Sequence, residues 1–410
     1  MHNTANVLLA RQPIFDRKLA TIGYELLYRP IPSDEEGWQL HSGDLATNEV
    51  LVSAFDDIGI EYVTSGQPAF INFTEHWLIN PPPFNPSSVV IEILEHIEAT
   101  PKNVAAVAAL RKKGFRIALD DYLGDPAQDP FLAYVDIIKL DILALKDITQ
   151  VQKIMASKGR QNFLWLAEKV ETKEVYDACL EAGCDYFQGY FFSRPSNVYG
   201  QKLSNNKRLI LELISALQDP DITPKKIEEL LSQDPSLSFR LLRLVNSASF
   251  KQQSKVESLQ RAIMVTGIEQ IKTWVTMLSL GKLEDKPQEL SIQSLQRAFF
   301  SQSLADSFPD IANDIAFTTG LLSNIDAYFD IPLEQLLMKV HLHGDINRAL
   351  IKKSGKLGFI LTTILFMEKG EWQKIRWQLW QDNGLEPSQI EWFYLQSLKE
   401  VEKMLNSTLR

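Results

Sequence analysis

The chain has 410 residues, 45% of them hydrophobic and 23% charged, and carries a formal net charge of −10. That length calls for two domains or more. The acidic balance excludes broad electrostatic binding to nucleic acid polymers or anionic membranes, which needs a positive surface, although a local basic pocket stays open.

The longest apolar runs, such as FILTTILFM (359–367), fall far short of the roughly 20 residues of a membrane span. The opening MHNTANVLLARQPIF lacks the apolar core of a secretion signal. Cys179 and Cys184 match neither a CxxC pair nor a zinc knuckle. Two reduced thiols in a cytoplasmic protein are therefore expected.

From the N-terminus, the first strand-like stretch is IGYELLYRP (22–30), with Glu25 set among apolar neighbours. PAFINF (68–73), SVVIEIL (88–94), FRIALDD (115–121), VDIIKLD (135–141), FLWLAEKV (163–170) and YFQGYFF (186–192) follow. Their near-continuous apolar character predicts parallel strands covered on both faces. Helical segments alternate with them. In 100–114, Thr100 is a natural N-cap, Pro101 a first-turn residue and Gly114 a stop, and 172–183 repeats the design. Repeated strand–helix units predict a parallel α/β barrel. PPPF (81–84) reads as a stiffened barrel loop or a polyproline recognition segment.

The rhythm changes after Pro195. The polar stretch 193–207 reads as a linker or domain edge, which sets domains at 1–198 and 199–410. Beyond it the pattern is helical. Thr223 and Pro224 open a helix burying Ile227, Leu230 and Leu231. Asp234 caps another whose stripe is Leu237, Leu241, Leu244 and Val245. Trp372, Trp377 and Trp380 suit either the core of a last helix pair or a partner-facing surface.

The predicted strands carry polar residues at or near their C-terminal ends: Glu25, Asn72, Glu92, the pair Asp120–Asp121, Lys139, Glu168 and Gln188. In a parallel barrel those ends converge on one face, where active sites lie. Carboxylates gathered there repel one another unless cations join them. Hard oxygen donors without nearby His or Cys select Mg²⁺ or Mn²⁺, and adjacent aspartates suit a bridge between two ions. Such a site activates water for displacement at phosphorus, with Lys139 placed to orient the water and Arg29 to hold a phosphate oxygen.

RQPIFDRKLATIGYELLYR (11–29), INFTEHWL (71–78), IEILE (91–95), LDDY (119–122), DIIKLD (136–141), LAEKVET (166–172) and GCDYFQGYFFSRP (183–195) together resemble the EAL domain family. Its active members hydrolyse cyclic di-GMP to the linear dinucleotide. The resemblance implies a TIM-like barrel with Glu25, Asn72, Glu92 and Asp120 on one metal ion and Asp121 with Asp120 on a second. It implies catalytic roles for Glu168, Lys139 and Glu25, substrate contacts from Arg29, Leu27 and Gln188, and Glu95 as the anchor of the loop after the paired aspartates. It also implies a homodimer.

This chain departs from the family's signature, which reads Glu25-Leu26-Leu27 here, and in that loop, where LGDPAQDP (123–130) replaces a Gly-Thr-Gly-Tyr-Ser-Ser type. Two prolines predict a stiffer loop of different shape. Metal-dependent hydrolysis, ligand sensing without turnover and a protein-interaction scaffold therefore all stay open.

IEELLSQDPSLSFRLLRLVNSASF (227–250) and SLQRAIMVTGIEQIKTWV (258–275) resemble the all-helical HDOD domain, with Asn246-Ser247 among the specific elements. Where HD enzymes have a metal-binding His-Asp pair, GLLSNID (320–326) has Ser323-Asn324, and only His341 and His343 lie beyond residue 200. A non-catalytic domain that binds a protein partner is the expectation.

Overall fold

The computed structural model describes residues 7–30, 60–158, 163–194, 205–219, 221–246, 256, 258–283, 286–338, 340 and 342–409. The chain divides into two compact units, one of Met1–Phe192 with Met367–Gln373, the other of Ser193–Phe366 with Lys374–Arg410. Ser247, His341 and most of the expected linker lie outside the described residues.

Eight strands of the first unit close into a barrel in sequence order. They are β1 (Val7–Asp16), β2 (Thr21–Pro30), β3 (Ala69–Phe73), β4 (Val89–Ile93), β5 (Arg116–Leu119), β6 (Ile137–Asp141), β7 (Leu164–Glu168) and β8 (Tyr186–Gln188). From β2 to β8 every neighbouring pair is parallel. The exception is β1, antiparallel to both β2 and β8. Pro13 interrupts the strand signal of β1. It sits one residue beyond the pairs Ile14↔Gln188, Phe15↔Phe187 and Asp16↔Tyr186, where a missing N–H need break no bond to β8.

The two-residue period of a strand stacks the barrel interior in layers. Ile14, Phe70, Val90, Ala118, Ile137 and Leu166 form a dry apolar cluster across six strands. Two positions further on lie Asn72, Glu92, Asp120, Lys139 and Glu168. The apolar layer is the floor on which the polar residues stand.

Helices of the first unit begin where the cap chemistry predicts. The Thr100 hydroxyl accepts from Asn103 N at 3.2 Å to start Pro101–Lys112, and Thr172 caps Lys173–Ala182 in the same way. Each such cap contributes about 1 kcal/mol. Cys179 and Cys184 are buried free thiols.

The second unit is helical, with no strand among its described residues. Leu237, Leu241, Leu244 and Val245 are buried on Pro235–Val245, as are Ile227 and Leu231 on Pro224–Ser232, while Leu230 is only partly covered. Gln288–Ala305 and Asn313–Leu321 come so close that a Cβ on Gly320 would lie 2.3 Å from the Arg297 carbonyl oxygen. Trp377 and Trp380 are buried, with Trp380 stacked on Phe359 at 4.6 Å, and Trp372, which belongs to the first unit, is buried as well. No helix among the described residues is long and apolar enough to cross a membrane.

Candidate active site

Lys139, fully buried in the middle of β6, is the centre of the polar layer. Its ammonium lies 2.6 Å from Glu92 Oε1, 2.8 Å from Asp120 Oδ1, 2.8 Å from Glu168 Oε1 and 3.7 Å from Glu25 Oε2. Each partner comes from a different strand or the residue just after one: Glu25 from mid-β2, Glu92 and Glu168 near the ends of β4 and β7, and Asp120 directly after β5. Register pairs Asn72 with Glu92 across β3 and β4. Asp120 N donates to Ile93 O at 2.9 Å and Tyr122 N to Lys139 O at 3.0 Å, which fixes the paired aspartates between β4 and β6. Gln188 Nε2 donates to Glu25 Oε2 at 2.5 Å and to Gln12 Oε1 at 3.2 Å.

Four carboxylates thus face one fully buried ammonium, with Glu25, Asp120 and Glu168 keeping a slight exposure. Burial alone would lower the Lys139 pKa, but the surrounding carboxylates outweigh it and hold the group well above the ordinary lysine value. Burial pushes Glu92 well up, with Lys139 opposing and Glu25 and Asp120 adding to the rise. Burial likewise raises Glu168 to about 8, Lys139 again opposing and Asp120 and Glu25 reinforcing. The site is short of positive charge.

The donor chemistry fits a divalent cation. Glu92 Oε2 and Gln188 Oε1 are buried oxygens with no hydrogen-bond partner, an arrangement that costs energy unless a cation or water supplies the contact. All the donors in the layer are hard oxygens apart from Lys139, which suits Mg²⁺ or Mn²⁺ better than a thiophilic metal.

Asp121 stands slightly apart, with a left-handed backbone (φ +43°). Burial and the Asp120 charge raise its pKa. Carboxylate oxygens of Glu95, Asp120 and Asp121 lie within 4.8 Å of one another. The replaced loop is folded as a 3₁₀ turn, Pro126–Phe131, begun by Asp125. One link to Glu95 runs through its backbone. Gln128 Nε2 donates to the Glu95 backbone oxygen at 3.1 Å, leaving the half-exposed carboxylate of Glu95 beside the aspartates. The loop thus brings an amide donor of its own to Glu95. Asp129 completes the fastening, accepting from Tyr122 Oη at 2.8 Å and ion-pairing with Lys158 at 2.6 Å.

Leu27 is partly buried on β2, and Arg29 lies on the same strand with its side chain outside the described residues. Three residues that sequence reading passed over join the site. Gln12 orients Gln188 from the unexpected strand β1. Asp141 pairs with Lys169, and Lys169 also reaches Asp121. Asp141 closes the motif DIIKLD and Lys169 directly follows Glu168, so each sat beside a residue already singled out. In the helical unit, Ser323 and Asn324 both accept from Arg297 Nη1, at 3.1 and 2.5 Å, and Asn324 donates to Gln293 at 2.8 Å. His343 caps Gly344–Lys352 by accepting from Asp345 N.

Comparison with known proteins matches the EAL domain over residues 45–195 and the HDOD domain over 203–330. The uncharacterized protein YuxH of Bacillus subtilis is 35% identical over 379 residues, covering 89% of this chain and 91% of that protein. The cyclic di-GMP phosphodiesterase CdgJ of Vibrio cholerae is 34% identical over 375 residues, covering 90% and 86%. Among solved structures, the Bacillus subtilis YkuI protein, with an EAL domain, in complex with substrate c-di-GMP and calcium, is 19% identical. That likeness covers 56% of this chain and 73% of that one, and its TM-score of 0.37 is too low to carry weight.

Proposed function

Because the chain belongs to the family of proteins that join an EAL domain to an HDOD domain, we propose that its barrel is a divalent-metal-dependent phosphodiesterase for cyclic di-GMP. The reading is supported above all by the meeting of Glu25, Glu92, Asp120 and Glu168 around Lys139. Glu25, Asn72, Glu92 and Asp120 would hold one Mg²⁺ or Mn²⁺, and Asp120 with Asp121 a second. A bound ion supplies positive charge to the phosphodiester oxygens and lowers the pKa of water. Glu168, whose carboxyl burial pushes up to about 8, would accept the proton of the attacking water. Lys139 holds that carboxylate in place and offsets charge developing at phosphorus. Gln188 orients Glu25. Water adds to one phosphorus, one P–O bond of the ring breaks, and the product is the linear dinucleotide. Leu27 and Arg29 are assigned to the substrate.

The helical domain is the regulatory partner of this reading. At Ser323-Asn324 the side chains are engaged by Arg297, a cation, which disfavours a metal centre there. Binding of a protein partner is its proposed role, and the homodimer belongs to the same proposal.

Turnover of cyclic di-GMP by the purified chain with Mn²⁺ tests the assignment. Glu25→Ala and Glu168→Gln should each abolish it, while Glu168→Gln should still bind the dinucleotide in Ca²⁺. Hydrolysis that survives both substitutions would reject the site. A second reading, sensing without turnover, is favoured by the replaced loop, held by Gln128 and Asp129. It predicts calorimetric binding in Ca²⁺ and no linear product in Mn²⁺.

A further inference from the structure

Lys169 follows Glu168 directly and sits in the left-handed backbone region (φ +55°), where a residue with a Cβ is uncommon. The strain is offset by what the side chain reaches. Its ammonium is ion-paired to Asp141 Oδ2 and lies 3.8 Å from Asp121 Oδ1. Asp141 is itself fixed, since its other oxygen accepts from Ala144 N at 3.0 Å to cap Ile142–Leu145. The lysine is therefore carried on a firm support and reaches Asp121, the more exposed of the paired aspartates. Asp121 in turn shares the 4.8 Å cluster with Asp120 and Glu95.

We propose that the Lys169 ammonium is a built-in cation at the Asp120–Asp121 position, supplying there part of the charge a second divalent ion would bring and weakening that ion's binding. The inference rests on the metal-site reading above and determines how many ions the site holds. The inner position keeps its own demand for charge, because Lys139 faces four carboxylates there. At the outer position Asp121 already has a cation at 3.8 Å, and Glu95 is half exposed. A unit charge about 4 Å from a divalent ion costs roughly thirtyfold in affinity even at the dielectric of water, and more where water is excluded. Lys169 is a metal-stoichiometry residue by this account, with no part in proton transfer.

The test counts Mn²⁺ bound to the full chain by electron paramagnetic resonance of the free ion, with no substrate present. Wild type should take up one ion tightly and a second at least tenfold more weakly than Lys169→Met does. Lys169→Arg should behave as wild type, because the charge is kept. Lys169→Gly, which suits the left-handed backbone, should match Lys169→Met and covers the case in which methionine disturbs the fold. Equal affinities for both ions in wild type and the two neutral variants would overturn the inference while leaving the metal site intact. One ion in every form would do the same. Absence of Mn²⁺ binding in all of them would overturn the metal-site reading and this inference with it.

Discussion

Replacing Lys139 by methionine keeps the volume of the side chain and removes the one ammonium at the centre of the barrel. Three contacts of 2.6–2.8 Å and one of 3.7 Å are lost, and four carboxylates are left facing one another. At an effective dielectric of about 20, a single pair at 4 Å is worth about 4 kcal/mol. Removing one partner of a buried pair usually costs about 3–5 kcal/mol. Some of that returns as Glu92 and Glu168, already pushed up, take protons. The expected net loss is about 3 kcal/mol at pH 8, or roughly a hundredfold in the opening equilibrium. It should be smaller at pH 6, where protonation is easier. Hydrogen exchange of the β4–β7 amides in EDTA measures it directly. Millimolar Mn²⁺ should restore most of the protection, since an ion can take the ammonium's place. Unchanged exchange in EDTA, or a larger loss at pH 6 than at pH 8, would refute the charge argument.

A related expectation concerns the unmodified chain without metal. Glu168 rises from an ordinary value near 4.5 to about 8 on folding, so its contribution to stability is whole below about 4.5 and disappears as pH climbs through 8. Barrel protection in EDTA should decline across that window, and Mn²⁺ should flatten the profile; a rise with pH would contradict the assignment. In the helical unit, Gly320→Ala forces a methyl to 2.3 Å from the Arg297 carbonyl oxygen, a backbone atom. Overpacking of this kind costs about 1–3 kcal/mol. The unit's melting transition should fall by several degrees, and an unshifted transition would show that the two helices separate freely.

The polar series was legible because strand period and barrel topology act on it together. Asn72, Glu92, Asp120, Lys139 and Glu168 each stand two positions beyond an apolar plug residue, so any sequence obeying that alternation brings them to one level. The helix caps at Thr100, Thr172, Thr223 and Asp234 were legible for local reasons, since cap and first-turn residues interact within one turn. β1 was not. Pro13 and the polar pair Arg11-Gln12 break its pattern, and only pairing with β2 and β8 makes it a strand. The reach of Lys169 to Asp141 and Asp121 was hidden too, because it depends on a left-handed backbone at a residue that does not favour one. The anchoring of the loop through the Glu95 carbonyl was hidden for a similar reason. Gln128 looks like an ordinary loop amide until the turn Pro126–Phe131 aims it.

The place of β1 between β2 and β8 has a consequence for how the protein is made. β1 has its neighbour β2 almost at once but must wait for residues 186–188 before the other exists. Until residues 186–188 have left the ribosome β1 lacks that neighbour and keeps a bare margin, the kind of edge that invites wrong partners. The seam that finally seals it is three residue pairs long and includes Gln188, which grips Glu25. Closing the cylinder and bringing Gln188 to Glu25 thus depend on the same three residues.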